Sequence, residues 1–300
     1  MRIVVSGSTG LIGRHVVTAL GEEGHSVVAL TRGDRSVKGA EVVSWDPRDG
    51  VPPRALEGAT AVINLAGANI GAHRWSARQR EAFLSSRLDT TRACVQALGG
   101  PGPTILVNAS AVGFYGTTTV PVDETAPAGT GFLATLCRQW EDAAARGAEG
   151  GSRVVRARFG VVLANDGGAL PRIARLARFG ANGPLGSGRQ WVSWIHVEDA
   201  VAAIKHALFG ELSGPVNVVA PEPVQQRDLA KALGAVLHRP SFLPVPGAGV
   251  AMVLGRGPAS LVLQGQAVIP ALLDRTGFRH AFPSLESALR DLLDRRTSTP

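Results

Sequence analysis

The chain has three lysines in 300 residues, Lys38, Lys205 and Lys231, and a single tyrosine, Tyr115. Its formal net charge of +7 therefore rests almost wholly on arginine. The arginines are scattered, no basic run exceeds two, and the sparse aromatics are not interleaved with them. That pattern argues against nucleic-acid binding and for compositional bias plus recognition of an anionic ligand. There are two cysteines, Cys94 and Cys137, and no Cys-x-x-Cys or Cys/His cluster, so no structural metal site is expected. No apolar run reaches the ~18 residues of a membrane span. A first core strand beginning near Met1 leaves no room for a signal peptide. A cytoplasmic protein with no membrane or nucleic-acid partner is expected; the oligomeric state stays open. Charged residues are too few, at 18%, for long disordered stretches, and a hydrophobic share of 45% suffices for a large core.

What the chain does have begins at once. Ile3-Val4-Val5 is followed by Gly7-Ser8-Thr9-Gly10-Leu11-Ile12-Gly13, and then by an amphipathic helix pattern through Val16, Val17 and Leu20. Strand, glycine turn and helix start stand in the order a dinucleotide pyrophosphate needs. Gly7 allows the tight turn, Gly10 lets backbone amides approach the phosphates, and Gly13 lets helix and strand pack closely. The phosphates then meet free N–H groups and the positive end of the helix dipole. Three spaced glycines alone are a weak signal; the strand before and helix after strengthen it.

Strand and helix patterns go on alternating. Further strands are expected at Val27–Leu30, Glu41–Trp45, Ala61–Leu65, Thr104–Asn108 and Arg153–Phe159, with long helices over 77–98 and 132–148. Near-continuous apolar strands between helices imply a parallel sheet covered on both faces, its ligand crevice at the strand C-termini where the order reverses. Later come an expected strand over Trp191–Val197, a helix over Glu198–Phe209, a return strand near 215–219 and a last helix over Leu285–Leu293. Residues 1–165 read as the nucleotide-binding core. Residues 166–296 read mainly as a smaller substrate-facing lobe, and Thr297–Pro300 as a frayed end.

Several segments carry a resemblance. Asn64-Leu65-Ala66-Gly67, Ser110-Ala111-Val112-Gly113-Phe114-Tyr115-Gly116 and Trp194-Ile195-His196-Val197-Glu198-Asp199 resemble motifs of extended short-chain dehydrogenases/reductases of the epimerase/dehydratase type. Arg74-Trp75, Ser86-Arg87, Cys137-Arg138-Gln139-Trp140-Glu141, Gly160-Val161-Val162-Leu163 and Gly186-Ser187-Gly188-Arg189-Gln190 resemble an atypical epimerase-like subfamily that ends in a small domain of unknown function. The resemblance covers essentially the whole chain. It implies a Rossmann-type doubly wound parallel sheet with an interleaved C-terminal lobe, and a nicotinamide cofactor.

Family chemistry uses a Tyr-x-x-x-Lys pair, the tyrosine exchanging a proton with the substrate and the lysine lowering its pKa and holding the nicotinamide ribose. No lysine lies between Lys38 and Lys205, and the residue four after Tyr115 is Thr119, so the pair cannot exist here. Aligning Glu141 with the family's glutamate puts Leu133 at the tyrosine position and Cys137 at the lysine position. The usual Ser/Thr position, four before Tyr115, is Ala111, with Ser110 one residue off. The Asp-Glu pair of sugar-nucleotide dehydratases is missing at 112–113. Arg87 stands where relatives usually have Asn, and so is a candidate to replace the lost positive charge at cofactor ribose or phosphate, against the plainer reading of a surface helix arginine.

The second strand ends Leu30-Thr31-Arg32 with no acid to clasp the adenosine ribose. An arginine there suits a 2′-phosphate, so NADP is favoured over NAD, with Asp34 as counter-evidence. The candidate cofactor set is Gly7, Ser8, Thr9, Gly10, Leu11, Ile12, Gly13, Thr31, Arg32, Leu65, Ala66, Gly67 and Arg87, with Val161 near the nicotinamide by resemblance. Candidate acid–base residues are Tyr115, Ser110, Cys137 and Glu124. Trp75, Arg189, Gln190 and Trp194 are candidates to meet a small-molecule substrate, planar or anionic. The expected activity is that of an NADP-dependent oxidoreductase of unknown substrate. The alternative is a catalytically silent NADP-binding sensor or scaffold.

Overall fold

A computed structural model describes residues 1–33, 35–71 and 74–294; Asp34 and the 295–300 tail lie outside them. Seven strands form one sheet. They are β1 (Arg2–Ser6), β2 (Ser26–Thr31), β3 (Glu41–Ser44), β4 (Ala59–Asn64), β5 (Ile105–Ala111), β6 (Arg153–Phe159) and β10 (Gly214–Val218). Their spatial order is β10-β6-β5-β4-β1-β2-β3, and every pairing is parallel. The chain first winds outward from β1 to β3, then returns to lay β4 on the other side of β1. Ser6 of β1 sits in register with Asn64 of β4, so the crevice opens just beyond those two residues.

Alternate residues feed two cores, as the two-residue period of a strand demands. Ile3, Val5, Ile63, Val107 and Val155 pack with Val16 and Leu20 of α1 (Leu11–Glu22) and Ile204 of α6 (Val197–Phe209). Val4, Val28, Val62, Leu106 and Val154 pack with Cys94 of α3 (Ala77–Gln96) and Ala144 of α4 (Phe132–Ala145). A one-turn helix, α2 (Pro53–Leu56), closes the second face with Ala55.

Beyond β6 the chain builds the crevice wall. β7 (Val161–Leu163) pairs parallel with β9 (Trp194–His196), and β8 (Trp191–Val192) pairs antiparallel with β11 (Val224–Gln225). The single strand expected over 191–197 is thus two, broken at Ser193. The Ser193 hydroxyl donates to Gln266 O and accepts from Val268 N–H, while its carbonyl accepts from Val161 N–H. Those bonds turn the backbone from one partner strand to another. Leu170 of α5 (Leu170–Arg178), Leu233 of α7 (Gln226–Leu237) and Leu289 of α11 (Leu285–Asp294) form a third core with Trp194. Helices α8 (Gly247–Leu254) and α9 (Arg256–Leu263) follow, and then α10 (Ala271–Arg275). Arg74 reaches the Met252 carbonyl, and a Cβ on Gly257 would collide with Trp75, so this pair of helices lies against the segment leading from β4 to α3.

Charge is unevenly shared. No acid occurs between Asp166 and Glu198, or between Asp228 and Asp274, while those two stretches hold seven basic residues, which accounts for the whole formal excess of +7. They adjoin: Leu243 N–H donates to Asn182 O, Val245 N–H to Pro184 O and Arg239 Nε to Arg178 O.

Candidate cofactor crevice and active site

The turn after β1 is held tightly. Gly7 has φ +71°, and a Cβ there would lie 2.6 Å from the Leu65 carbonyl. A Cβ on Gly13 would run into the Gly7 carbonyl oxygen. Gly10 differs: its Cβ would meet only Gly7 O, at 3.1 Å, so its bare backbone faces open space. Gly10 also caps α1, with no side-chain cap bond and no acid in the first helical turn. The first N–H groups of α1 are left for a ligand. Beside them the Ser8 hydroxyl is buried and bonds nothing. Such an orphaned group costs free energy unless a partner meets it. Leu11 and Ile12 begin the helix, and Thr9 is exposed at the turn. The loop after β7 packs onto the same helix, with Asp166 bonded to Arg14 and His15.

At the end of β2, Thr31 is buried and donates to Gly33 O, while Arg32 is exposed with no ion pair among the described residues. Arg35, which the sequence reading passed over, is exposed near the same strand end. The signal was in plain view as Arg-x-x-Arg. The counter-evidence at Asp34 lies outside the described residues.

The floor beneath β4 is a closed polar network. Ser6 Oγ donates to Asn64 Oδ1 (2.6 Å), Asn64 Nδ2 to Asn108 Oδ1 (2.6 Å) and to Thr91 Oγ1 (3.0 Å), and Trp140 Nε1 to Thr91 Oγ1 (2.8 Å). Ala66 N–H donates to Asn64 Oδ1, which shapes the Leu65-Ala66-Gly67 loop. These asparagines brace the loop that follows β4, and nothing in local sequence marked Asn108 or Thr91.

A second buried network joins three of the acid–base candidates. Ser110 Oγ donates to Glu141 Oε1 (2.6 Å), and Arg158 forks onto both Glu141 oxygens at 2.7 and 2.8 Å. Arg158 Nη1 donates to Tyr115 Oη (2.7 Å), which donates to Asn217 Oδ1 (2.7 Å). The Asn217 and Leu272 N–H groups donate to Glu124. Tyr115 is therefore a buried strut; burial raises its pKa, against the opposing pull of Arg158. Burial opposes the Arg158 charge, but Glu141 and Tyr115 outweigh it and lift its pKa further. Glu124 fastens β10 to α10 and does not stand free in a loop.

Cys137 lies apart from that network. A Cβ on Gly113 would be 3.5 Å from Leu133 Cβ and 3.7 Å from Cys137 Sγ, so these two residues, one helical turn apart on α4, face the turn after β5. Burial first, then Glu141, pushes the Cys137 thiol up to about 12, and it stays protonated. That removes it as a nucleophile at neutral pH. Arg87 sits close by: its Nη1 donates to the carbonyls of Ala68 (3.1 Å) and Phe83 (3.0 Å), and its Cζ is 5.0 Å from the Trp140 ring centroid.

On the expected substrate side, Val161 is 40% exposed at the start of β7, and Arg189 is exposed in its glycine-rich loop. Trp75 packs edge-on against Phe83 and Phe132 and donates to Ile70 O. The other two are structural. Trp194 is 1% exposed in the third core and donates to Glu222 O, so it does not reach the crevice. Gln190 Nε2 is occupied by the carbonyls of Leu185 and Val262, tying its loop to α9.

Two family models match the chain: the NAD dependent epimerase/dehydratase family over residues 3–218, and a domain of unknown function, DUF1731, over 245–292. The chain belongs to the NAD dependent epimerase/dehydratase family. It is 40% identical to the epimerase family protein Mb2239 of Mycobacterium bovis over 290 residues, 96% of each chain. It is 39% identical to a chloroplastic epimerase family protein of Arabidopsis thaliana over 98% of this chain and 87% of that one. Among solved structures, the human epimerase family protein SDR39U1 with NADPH superposes with a TM-score of 0.88 at 34% identity, covering 98% of this chain and 99% of the other.

The positions that resemblance assigns to the tyrosine, lysine and serine hold Leu133, Cys137 and Ala111. Ser110, one residue off the serine position, donates instead to Glu141. Among the described residues no cluster could hold a metal ion, and no helix is long and apolar enough to cross a membrane.

Proposed function

We propose that this chain is an NADP-dependent oxidoreductase of the epimerase-like extended short-chain dehydrogenase class. The observation that carries the reading is the uncapped start of α1, where the buried Ser8 hydroxyl bonds nothing and Gly10 leaves the backbone open. The residues present fit a dinucleotide. The Gly7–Gly13 turn offers backbone N–H groups and Ser8 Oγ to the pyrophosphate. Arg32, exposed and unpaired among the described residues, offers a forked donor to a 2′-phosphate. Leu65, Ala66 and Gly67 line the crevice from β4, Val161 from β7, and Thr31 closes β2. Arg87 turns positive charge toward the Leu133–Cys137 end. When bound, the cofactor supplies a hydride or takes one at nicotinamide C4. The human relative solved with NADPH supports the choice of phosphate.

The test is a fluorescence titration with NADPH and NADH. Tighter NADPH binding is expected, and Arg32→Ala should remove most of the preference. A lost charge-assisted contact is worth about 1.5–3 kcal/mol, tenfold or more in affinity. Equal affinities, or an unchanged preference in the variant, would sink the reading. The substrate is a small molecule. Two buried, unpaired cysteines support a reducing compartment such as the cytoplasm.

One observation favours the second reading, a silent NADP-binding sensor or scaffold: Tyr115, Ser110 and Glu124 are committed to structural bonds, and the Cys137 thiol is held protonated. Tight NADPH binding that alters association with another protein, with no turnover across ketones, aldehydes, quinones and sugar nucleotides, would decide for it.

A further inference from the structure

Arg87 holds a positive charge in a mostly enclosed place and leaves half of its hydrogen-bonding edge unspent. Nη1 is taken by two carbonyls. Nε is shut off from solvent and bonds nothing, and no carboxylate pairs with the guanidinium among the described residues. Burial pulls its pKa below the usual arginine range. Nη2 has no partner among the described residues and is the donor an incoming oxyanion can reach. Gly67 packs against the closed Nε side, where a Cβ would lie 3.1 Å from Arg87 Cζ and 3.4 Å from Nε. A desolvated cation with no counter-charge costs several kcal/mol, and an anionic group at Nη2 offsets that cost.

The neighbours define the chemistry further. Leu133 and the protonated Cys137 supply no usable acid, and the guanidinium does not give up its proton. This end of the crevice can pair with an oxyanion but cannot protonate one. A simple ketone would be reduced to an alkoxide, whose conjugate acid is about as weak an acid as water. A conjugated carbonyl leaves instead as an enolate or phenolate; phenols have pKa ~10. Such an anion can form beside a fixed cation without a proton donor.

We propose that Arg87 holds the developing oxyanion of a conjugated carbonyl substrate, an enone or a quinone, and that water supplies the final proton. For an enone, the β-carbon takes a hydride from the reduced nicotinamide, which is thereby oxidised. One C–H bond forms, the C=C pair moves between the α- and carbonyl carbons, and the C=O pair moves onto oxygen. The resulting enolate pairs with Arg87, and a proton from water later closes the α-carbon. This rests on the oxidoreductase reading, with NADPH as the reductant.

The experiment titrates 4-nitrophenol into the protein saturated with NADP+, following phenolate absorbance against pH. In the wild type the bound phenol should ionise at least one pH unit below the free one, a tenfold preference for the anion. Arg87→Met should abolish that shift, and Arg87→Lys, which keeps the charge but moves the donor, should keep part of it. No shift in the wild type, or an equal shift in a folded Arg87→Met, overturns the proposal. So does loss of the shift on adding NADP+, because the guanidinium would then belong to the cofactor. NADPH oxidation is compared with 2-cyclohexen-1-one and cyclohexanone, a pair matched in size. Turnover of the enone alone is expected; turnover of the saturated ketone alone, or of neither, overturns the substrate class. NADPH affinity is measured in parallel. Normal NADPH binding with no phenolate effect fails this proposal only, whereas absent NADPH binding fails the cofactor reading itself.

Discussion

At the scale of single residues, the three glycines of the first turn do different work. Gly7 and Gly13 are packing positions, since a side chain on either would strike backbone. Gly10 is the ligand position. Gly10→Val should leave the circular dichroism spectrum intact while NADPH binding is lost, whereas Gly13→Ala should disturb the fold itself. A Gly10→Val protein that still binds NADPH normally would place the phosphates elsewhere. Cys137→Ser should barely change NADPH affinity, because the thiol is protonated and buried among packing groups. Tyr115→Phe moves in the opposite direction from what sequence alone suggests. As a general acid, Tyr115 would cost rate on removal; as the strut between Arg158 and Asn217, it should cost stability. Two buried partners would be left unmet, for about 1–3 kcal/mol by urea denaturation.

At the scale of elements, the Glu141–Arg158 pair joins α4 to β6 and, through Tyr115 and Asn217, to β10. Removing one partner strands a buried charge, so Glu141→Leu should cost about 3–5 kcal/mol. Glu141→Leu with Arg158→Met should recover much of that. A double variant no more stable than Glu141→Leu would show that packing at 141 dominates. The α6 start makes a pH test. His196 Nδ1 accepts from Glu198 N–H, and Nε2 bonds Asp291 at 3.2 Å. Burial holds its pKa below 6.5, although nearby acids oppose this. The folded state thus binds less proton than the unfolded chain. Stability should be full above pH 6.5 and fall as pH drops through the lower folded value. In His196→Asn that component of the thermal-melting pH profile should flatten.

Much of this frame was readable from local pattern. Ile3-Val4-Val5 declares itself as a strand because buried parallel strands are apolar runs of matching length, and Arg153–Phe159 shows through Val154, Val155, Ala157 and Phe159 in spite of three arginines. The Ser193 break was not readable, because it depends on Gln266 and Val268 more than seventy residues away. Likewise, nothing near Ser110 says that it faces Glu141 on a helix thirty residues later. Trp194 looked like a rim residue because aromatics near a glycine-rich loop suit a ligand, but its strand turns it into the third core. The glycine turn was legible for the converse reason: its function depends on backbone, and backbone shape is written in the glycines themselves.

On the scale of the whole molecule, the family frame and the crevice lie together, and the charge is shared unevenly across them. The two acid-free stretches that adjoin through Asn182–Leu243 and Pro184–Val245 carry the entire excess, and the rest of the chain is balanced. The protein is thus an electric dipole, not a uniformly basic particle. On a cation-exchange resin it should adsorb by one end, in a fixed orientation, and elute at a salt concentration set by that end. Arg175→Glu with Lys231→Glu should lower that concentration far more than the same reversal at Arg54 with Arg92. Equal shifts would mean that the column senses only the sum. The same dipole would turn the molecule in an electric field, so an anionic neighbour is drawn first to the side carrying the two acid-free stretches, which include β8 and β9 of the crevice wall.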